Sequence, residues 1–139
     1  MDSFNRNALK KLSEWKHSAS RKPLILRGAR QVGKTTLVTQ FAKEYDVFLH
    51  LNLEKDDDRK LFETYNDVNE LLRAIYMLKR KTISTKNVLL FIDEIQNSNK
   101  AVAMLRYFYE EANHIHVIGA GSLLETLMDV RKISFPVGR

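Results

Sequence analysis

"LILRGARQVGKTTL", residues Leu24 to Leu37, joins an apolar run to a glycine-rich turn and then to a helix start. Leu24, Ile25 and Leu26 read as a buried strand. Pro23 pushes the residue before it out of the helical region, so the preceding segment must end there. After the turn, Leu37, Val38, Phe41, Ala42 and Tyr45 recur at helical spacing. Between strand and helix, Gly28-Ala29-Arg30-Gln31-Val32-Gly33-Lys34-Thr35 matches G-x-x-x-x-G-K-[ST] without a gap. In that context the pattern is a phosphate cradle. Glycines let the backbone turn tightly so that successive N–H groups point at a polyphosphate, and the helix that begins there adds its positive end. Lys34 is expected to reach the β and γ phosphates as a mobile charge. Thr35 is expected to offer its hydroxyl to Mg²⁺. The contacting set is thus Gly28, Ala29, Arg30, Gln31, Val32, Gly33, Lys34, Thr35 and Thr36.

A cradle alone only binds. Hydrolysis also needs a carboxylate for the magnesium and a base for the water, and "LLFIDEIQ" offers both. Asp93 ends a five-residue apolar run that reads as a strand covered on both faces, at the carboxyl edge where parallel sheets bind ligands. Beside Thr35 it is expected to hold the magnesium, directly or from behind the ion's immediate ligands. Glu94 is the expected catalytic base, with Lys34 as its cationic counterpart; the alternative for Glu94 is a solvated helix cap. Asp93 follows Lys34 by 59 residues, which suits an ATPase with one further strand between cradle strand and acidic strand.

"GAGSLLE" follows the next strand. Its Gly119-Ala120-Gly121 begins like a dinucleotide fingerprint, but Leu124 stands where the third small residue belongs, which argues against that reading. Ser122, beside the strand of Asp93, can contact the γ-phosphate or the water, or can simply cap a helix.

The rest of the chain supplies a leading amphipathic helix within residues 1–20 (Phe4, Ala8, Leu9, Leu12, Trp15), a strand from Val47 to Leu53, a helix from Asp67 to Lys81, a helix in "KAVAMLRYFYEEA" and a strand in "HIHVIGA". "SLLETLMDV" reads as helical turns and "KISFPV" as a last extended piece. The Asp56–Asp58 run reads as a solvated loop or helix start. His114 and His116 alternate along one strand face and read as packing or surface residues; His17 and His50 carry no signal. The alternation of strands and helices predicts an α/β sandwich, a parallel sheet between helix layers.

The 139 residues make one domain, with 44% hydrophobic and 29% charged residues typical of a globular chain. Absence of cysteine excludes disulfides and thiolate metal sites and makes the cytoplasm the natural setting. No apolar run approaches the ~20 residues of a membrane span. The net charge of +6 favours anionic partners, nucleotide first, with DNA or an acidic protein surface open. The basic residues alternate with acids, however, and mostly read as solvated helix faces.

Taken together, "RKPLILRGARQVGKTTL", "LNLE", "LLFIDEIQ", "VIGAGSLLE" and "ISFPVGR" resemble the N-terminal ATPase domain of AAA-type P-loop ATPases of bacteria and archaea that carry a C-terminal domain of unknown function. The resemblance implies a three-layer sandwich of the additional-strand type with sheet order 5-1-4-3-2. It also implies ATP with Mg²⁺, slow hydrolysis as a switch, and a sensor role for Ser122. It makes residues 1–139 a P-loop ATPase domain truncated at the C-terminus, with oligomeric state open and Arg139 as a finger candidate. Ala29 and Gly119 stand where such proteins often have proline and alanine. Two rivals remain at this stage: a regulatory nucleotide- or DNA-binding module without significant turnover, and a small-molecule kinase, which the D-E pair suits less well.

Overall fold

The computed structural model describes residues 3–27, 32–121 and 134–136. Among these residues are five strands and five α-helices. The strands are β1 (Leu24–Arg27), β2 (Val47–Asn52), β3 (Val88–Asp93), β4 (Ile115–Gly121) and β5 (Ser134–Pro136). The α-helices are α1 (Ser3–Lys16), α2 (Val32–Phe41), α3 (Asp56–Thr64), α4 (Val68–Lys79) and α5 (Asn99–Glu111). The strands form one sheet in the order β2-β3-β4-β1-β5, every pair parallel. Counted from the other edge this is 5-1-4-3-2, the additional-strand order that the resemblance implies.

β3 shows how the sequence sets the layers. All six of its residues are buried. Val88, Leu90 and Ile92 join a core shared with α3, α4 and α5, whereas Leu89 and Phe91 join one shared with α1 and α2. Side chains that alternate at period 2 therefore fill both faces, which explains an unbroken apolar run in place of an alternating one. α1 belongs to the domain because Ala8 and Leu12 are buried in the second core, with Leu9 and Trp15 packed against it.

Caps fix the helix ends. The Asp67 side chain accepts the Glu70 N–H at 3.0 Å to start α4, which stops at Arg80 in a left-handed conformation. Ser98 Oγ accepts the Ala101 N–H at 3.1 Å to start α5.

Two expectations change here. The Asp56–Asp58 run takes the helix-start reading and opens α3, so β2 and β3 are joined by two helices, and three carboxylates sit at a helix N-terminus where the dipole favours them. Asp58 is not solvated. It is buried, accepts the Asn52 N–H at 2.8 Å and takes Lys79 Nζ at 3.2 Å, tying the end of β2 to α4. His114 precedes β4 and is exposed, so the two histidines do not share a strand face.

His116 is a packing residue. Its Nδ1 lies 2.7 Å from Tyr45 Oη, and its ring meets those of Trp15 and Tyr45 edge-on. Burial, then the charges of Arg21, Lys16 and His17, push its pKa down to about 4. The unfolded chain takes up that proton near pH 6.5, so stability is complete above that pH and is lost as the pH falls towards 4. Because the ring is only half-buried, we expect a loss of about 1–2 kcal/mol, less than the full shift implies. Urea melts of wild type and His116→Phe across pH 7 to 4 test this. The variant should be the flatter of the two.

Candidate functional site

In a parallel sheet all strands end at the same edge, so the start of α2, which follows β1, and the end of β3 share one rim of the molecule. β4 lies between the two strands. Across it, Thr35 Oγ1 in the first turn of α2 donates to Asp93 Oδ2 at 2.9 Å. Two segments 58 positions apart thus meet in one hydrogen bond. Asp93 is only 8 % exposed, and its second oxygen accepts the Glu94 N–H at 2.9 Å.

Lys34 is 5 % exposed. The first turn of α2 holds no acidic residue. A buried cation at the positive end of a helix works against the dipole, and such an arrangement favours an anion as ligand. Gly33 points the same way. A Cβ built on it would meet no atom within 4 Å, so packing does not demand a glycine there. Thr36, in the same turn, is exposed, and Val32 is the first residue of α2. Gly28, Ala29, Arg30 and Gln31 lie outside the described residues, as do Ser122, which follows the last residue of β4, Arg139, and the "SLLETLMDV" turns.

Glu94 adopts a left-handed backbone, φ 54° and ψ 44°, at the junction of β3 with the 3-10 turn Ile95–Asn97. Non-glycine residues in that region carry strain and concentrate at functional sites. Its carboxylate Oε1 accepts a hydrogen bond from Gln96 Nε2 at 2.9 Å. Glu94 stands at the N-cap position of that turn, and its side chain makes no capping hydrogen bond.

His50 is a neighbour that sequence reading passed over. It is stacked on Phe91 and Phe48, with centroids 4.9 and 5.7 Å away, and its Nε2 lies 4.0 Å from Asp93 Oδ2. Burial outweighs the attraction of Asp93 and lowers its pKa, so the ring beside the carboxylate is neutral at pH 7. The signal was present as His50 and Asn52 alternating in an otherwise apolar strand whose register places Asn52 opposite Asp93. Arg27, the last residue of β1, brings a buried Nε without a hydrogen-bond partner among the described residues to the same rim.

Among the described residues no three His, Cys, Asp or Glu side chains converge as an all-protein metal site. One carboxylate and one hydroxyl in contact are instead the hard oxygen donors that suit Mg²⁺ completed by phosphate and water. The residues present therefore fit such an ion. No helix among the described residues is long and apolar enough to cross a membrane.

Comparison with solved structures agrees with this architecture. The chain is similar to C. elegans PCH-2 (20% identity, 95% of this chain and 40% of that chain, TM-score 0.55). It is also similar to a RuvB variant of Thermotoga maritima (22% identity, 95% and 44%, TM-score 0.55). A katanin structure described for its self-assembly matches at 17% identity, 94% and 46%, TM-score 0.55. The chain thus spans less than half the length of each of these structures, and at these identities the likeness concerns the fold. No sequence among the curated proteins matches the chain. Residues 20–139 match the family described as the AAA domain, nearly the whole chain, and the protein belongs to that family of ATPase-type nucleotide-binding domains.

Proposed function

We propose that the chain binds MgATP at the rim formed by α2 and β3 and hydrolyses it slowly, as a nucleotide switch. The observation that carries this reading is the 2.9 Å hydrogen bond between Thr35 and Asp93, which joins the two motifs at one point. In this reading the backbone of Gly28 to Thr36 cradles the phosphates, Lys34 neutralises charge on the β and γ groups, and Thr35 and Asp93 hold the magnesium. The ion, when bound, withdraws charge from the phosphate oxygens. Glu94 takes a proton from the attacking water as the new bond to the γ-phosphorus forms. The bridging bond then breaks, with its electron pair leaving on ADP. Ser122 contacts the γ-phosphate. Adenine rests on the family alone. DNA or a protein surface is the partner class favoured by the net charge of +6, and assembly into oligomers is the mode of action that katanin's self-assembly supports.

The reading is tested with γ-labelled ATP and protein in excess, with magnesium and with EDTA. Magnesium-dependent phosphate release above the protein-free control is expected. Tight nucleotide binding with no release, alone and with added DNA, would make the chain a regulatory binding module. No binding by calorimetry would remove the assignment altogether.

Gly33 provides a prediction in which stability and binding move apart. Alanine is better than glycine inside a helix by about 1 kcal/mol, and no neighbour obstructs its methyl group. Gly33→Ala should therefore leave the melting temperature unchanged or raised by a few degrees. MgATP affinity should fall at least ~10-fold because the methyl group stands where phosphate approaches the backbone. Thermal melts and calorimetry on the same sample check both halves.

A further inference from the structure

Ile95 stands between Glu94 and Gln96 in the turn that follows β3. It is fully buried, and its Cδ1 lies 3.1 Å from where a Cβ on Gly119 would be, so it occupies a notch that the glycine leaves in β4. Anchored there, the turn holds Glu94 and Gln96 together, with Gln96 Nε2 donating to Glu94 Oε1 at 2.9 Å. The other end of the same amide is unsatisfied. Gln96 Oε1 is buried and has no hydrogen-bond partner among the described residues. Buried acceptors are rarely left without a donor, and each one that is calls for an explanation such as a catalytic role or a bound water.

We propose that Gln96 serves hydrolysis with both ends of its amide, Nε2 holding the Glu94 carboxylate in place and the carbonyl oxygen accepting a hydrogen bond from the attacking water. This inference rests on the hydrolytic reading above. A water activated by Glu94 has two O–H bonds. One proton is lost to the Glu94 carboxylate as the oxygen bonds to the γ-phosphorus. The other stays on the water oxygen and needs an acceptor, which Gln96 Oε1 supplies without taking up a proton. The Nε2 donor selects one rotamer of Glu94, and the left-handed backbone at Glu94 sets the direction from which its side chain leaves the sheet.

Single-turnover phosphate release is measured for wild type, Gln96→Leu and Gln96→Glu, from pH 5 to 9, beside calorimetric MgATP affinity and thermal melts. Q96L should lower the rate about 10- to 100-fold while affinity stays within about threefold of wild type. Q96E, close in shape, covers the case in which Q96L misfolds. It replaces the Nε2 donor by a carboxylate oxygen, which cannot donate to Glu94 when ionised, so its rate should fall by a similar factor while affinity again stays within about threefold of wild type. A wild-type rate in Q96L overturns the proposal. So does a wild-type rate in Q96E, or a fall in rate that only follows lost affinity in a variant that keeps its melting temperature. Wild type that binds MgATP and releases no phosphate ends the hydrolytic reading and this one with it, an outcome visible before any variant is made.

Discussion

Lys34→Ala should abolish measurable nucleotide binding. At an effective dielectric near 20, a unit charge about 4 Å from a phosphate charge is worth about 4 kcal/mol, roughly a thousandfold in affinity. Lys34 is 5 % exposed, so salt screens it poorly. Truncating a buried side chain also opens space, and a loss of binding could then be a loss of fold. Lys34→Met separates the two effects, because it keeps the length of the stem and removes the charge alone. Both variants should melt as cooperatively as wild type and show no calorimetric heat with MgATP at concentrations that saturate wild type. Wild-type affinity in Lys34→Met would refute the cradle.

Glu94→Gln should give the opposite pattern, with binding kept and chemistry lost. The amide has nearly the shape of the carboxylate and can occupy the same backbone. It cannot accept a proton at neutral pH, which is worth about 10²- to 10⁴-fold in rate. MgATP affinity should stay within about threefold, so that the variant holds ATP uncleaved through a wash that leaves wild type with ADP. Chromatography of the retained nucleotide reads this directly. Phosphate release at the wild-type rate would show that another group is the base. The pair of results separates binding from turnover, since Lys34 variants fail at the first step and Glu94→Gln at the second.

Much of this was legible because the decisive signals are local. The cradle is contiguous, and five apolar residues ahead of Asp93, flanked by polar ones, fit a strand covered on both faces. The sheet order was legible only through the family resemblance, since strand pairing depends on contacts far apart in sequence that periodicity does not encode. The contact between Thr35 and Asp93 belongs to that class: the motifs imply it, and the fold brings it about. Asp58 was misread because its burial depends on the N–H of Asn52 and the amine of Lys79, one on each side of it in the chain. His50 and Gln96 were passed over for a related reason. A lone histidine in a strand and a glutamine after a D-E pair become informative only when register and turn geometry place them beside the carboxylates.

The placement of β4 has a mechanical meaning. It is hydrogen-bonded on one side to the strand that leads into the cradle and on the other to the strand that ends in Asp93. Two ladder steps of about 4.8 Å each therefore set a gauge of roughly 10 Å between the strands that carry the two halves. That gauge cannot widen without breaking backbone bonds along a whole edge. The sheet beneath the site thus stays fixed, like a vice already set to the width of its workpiece.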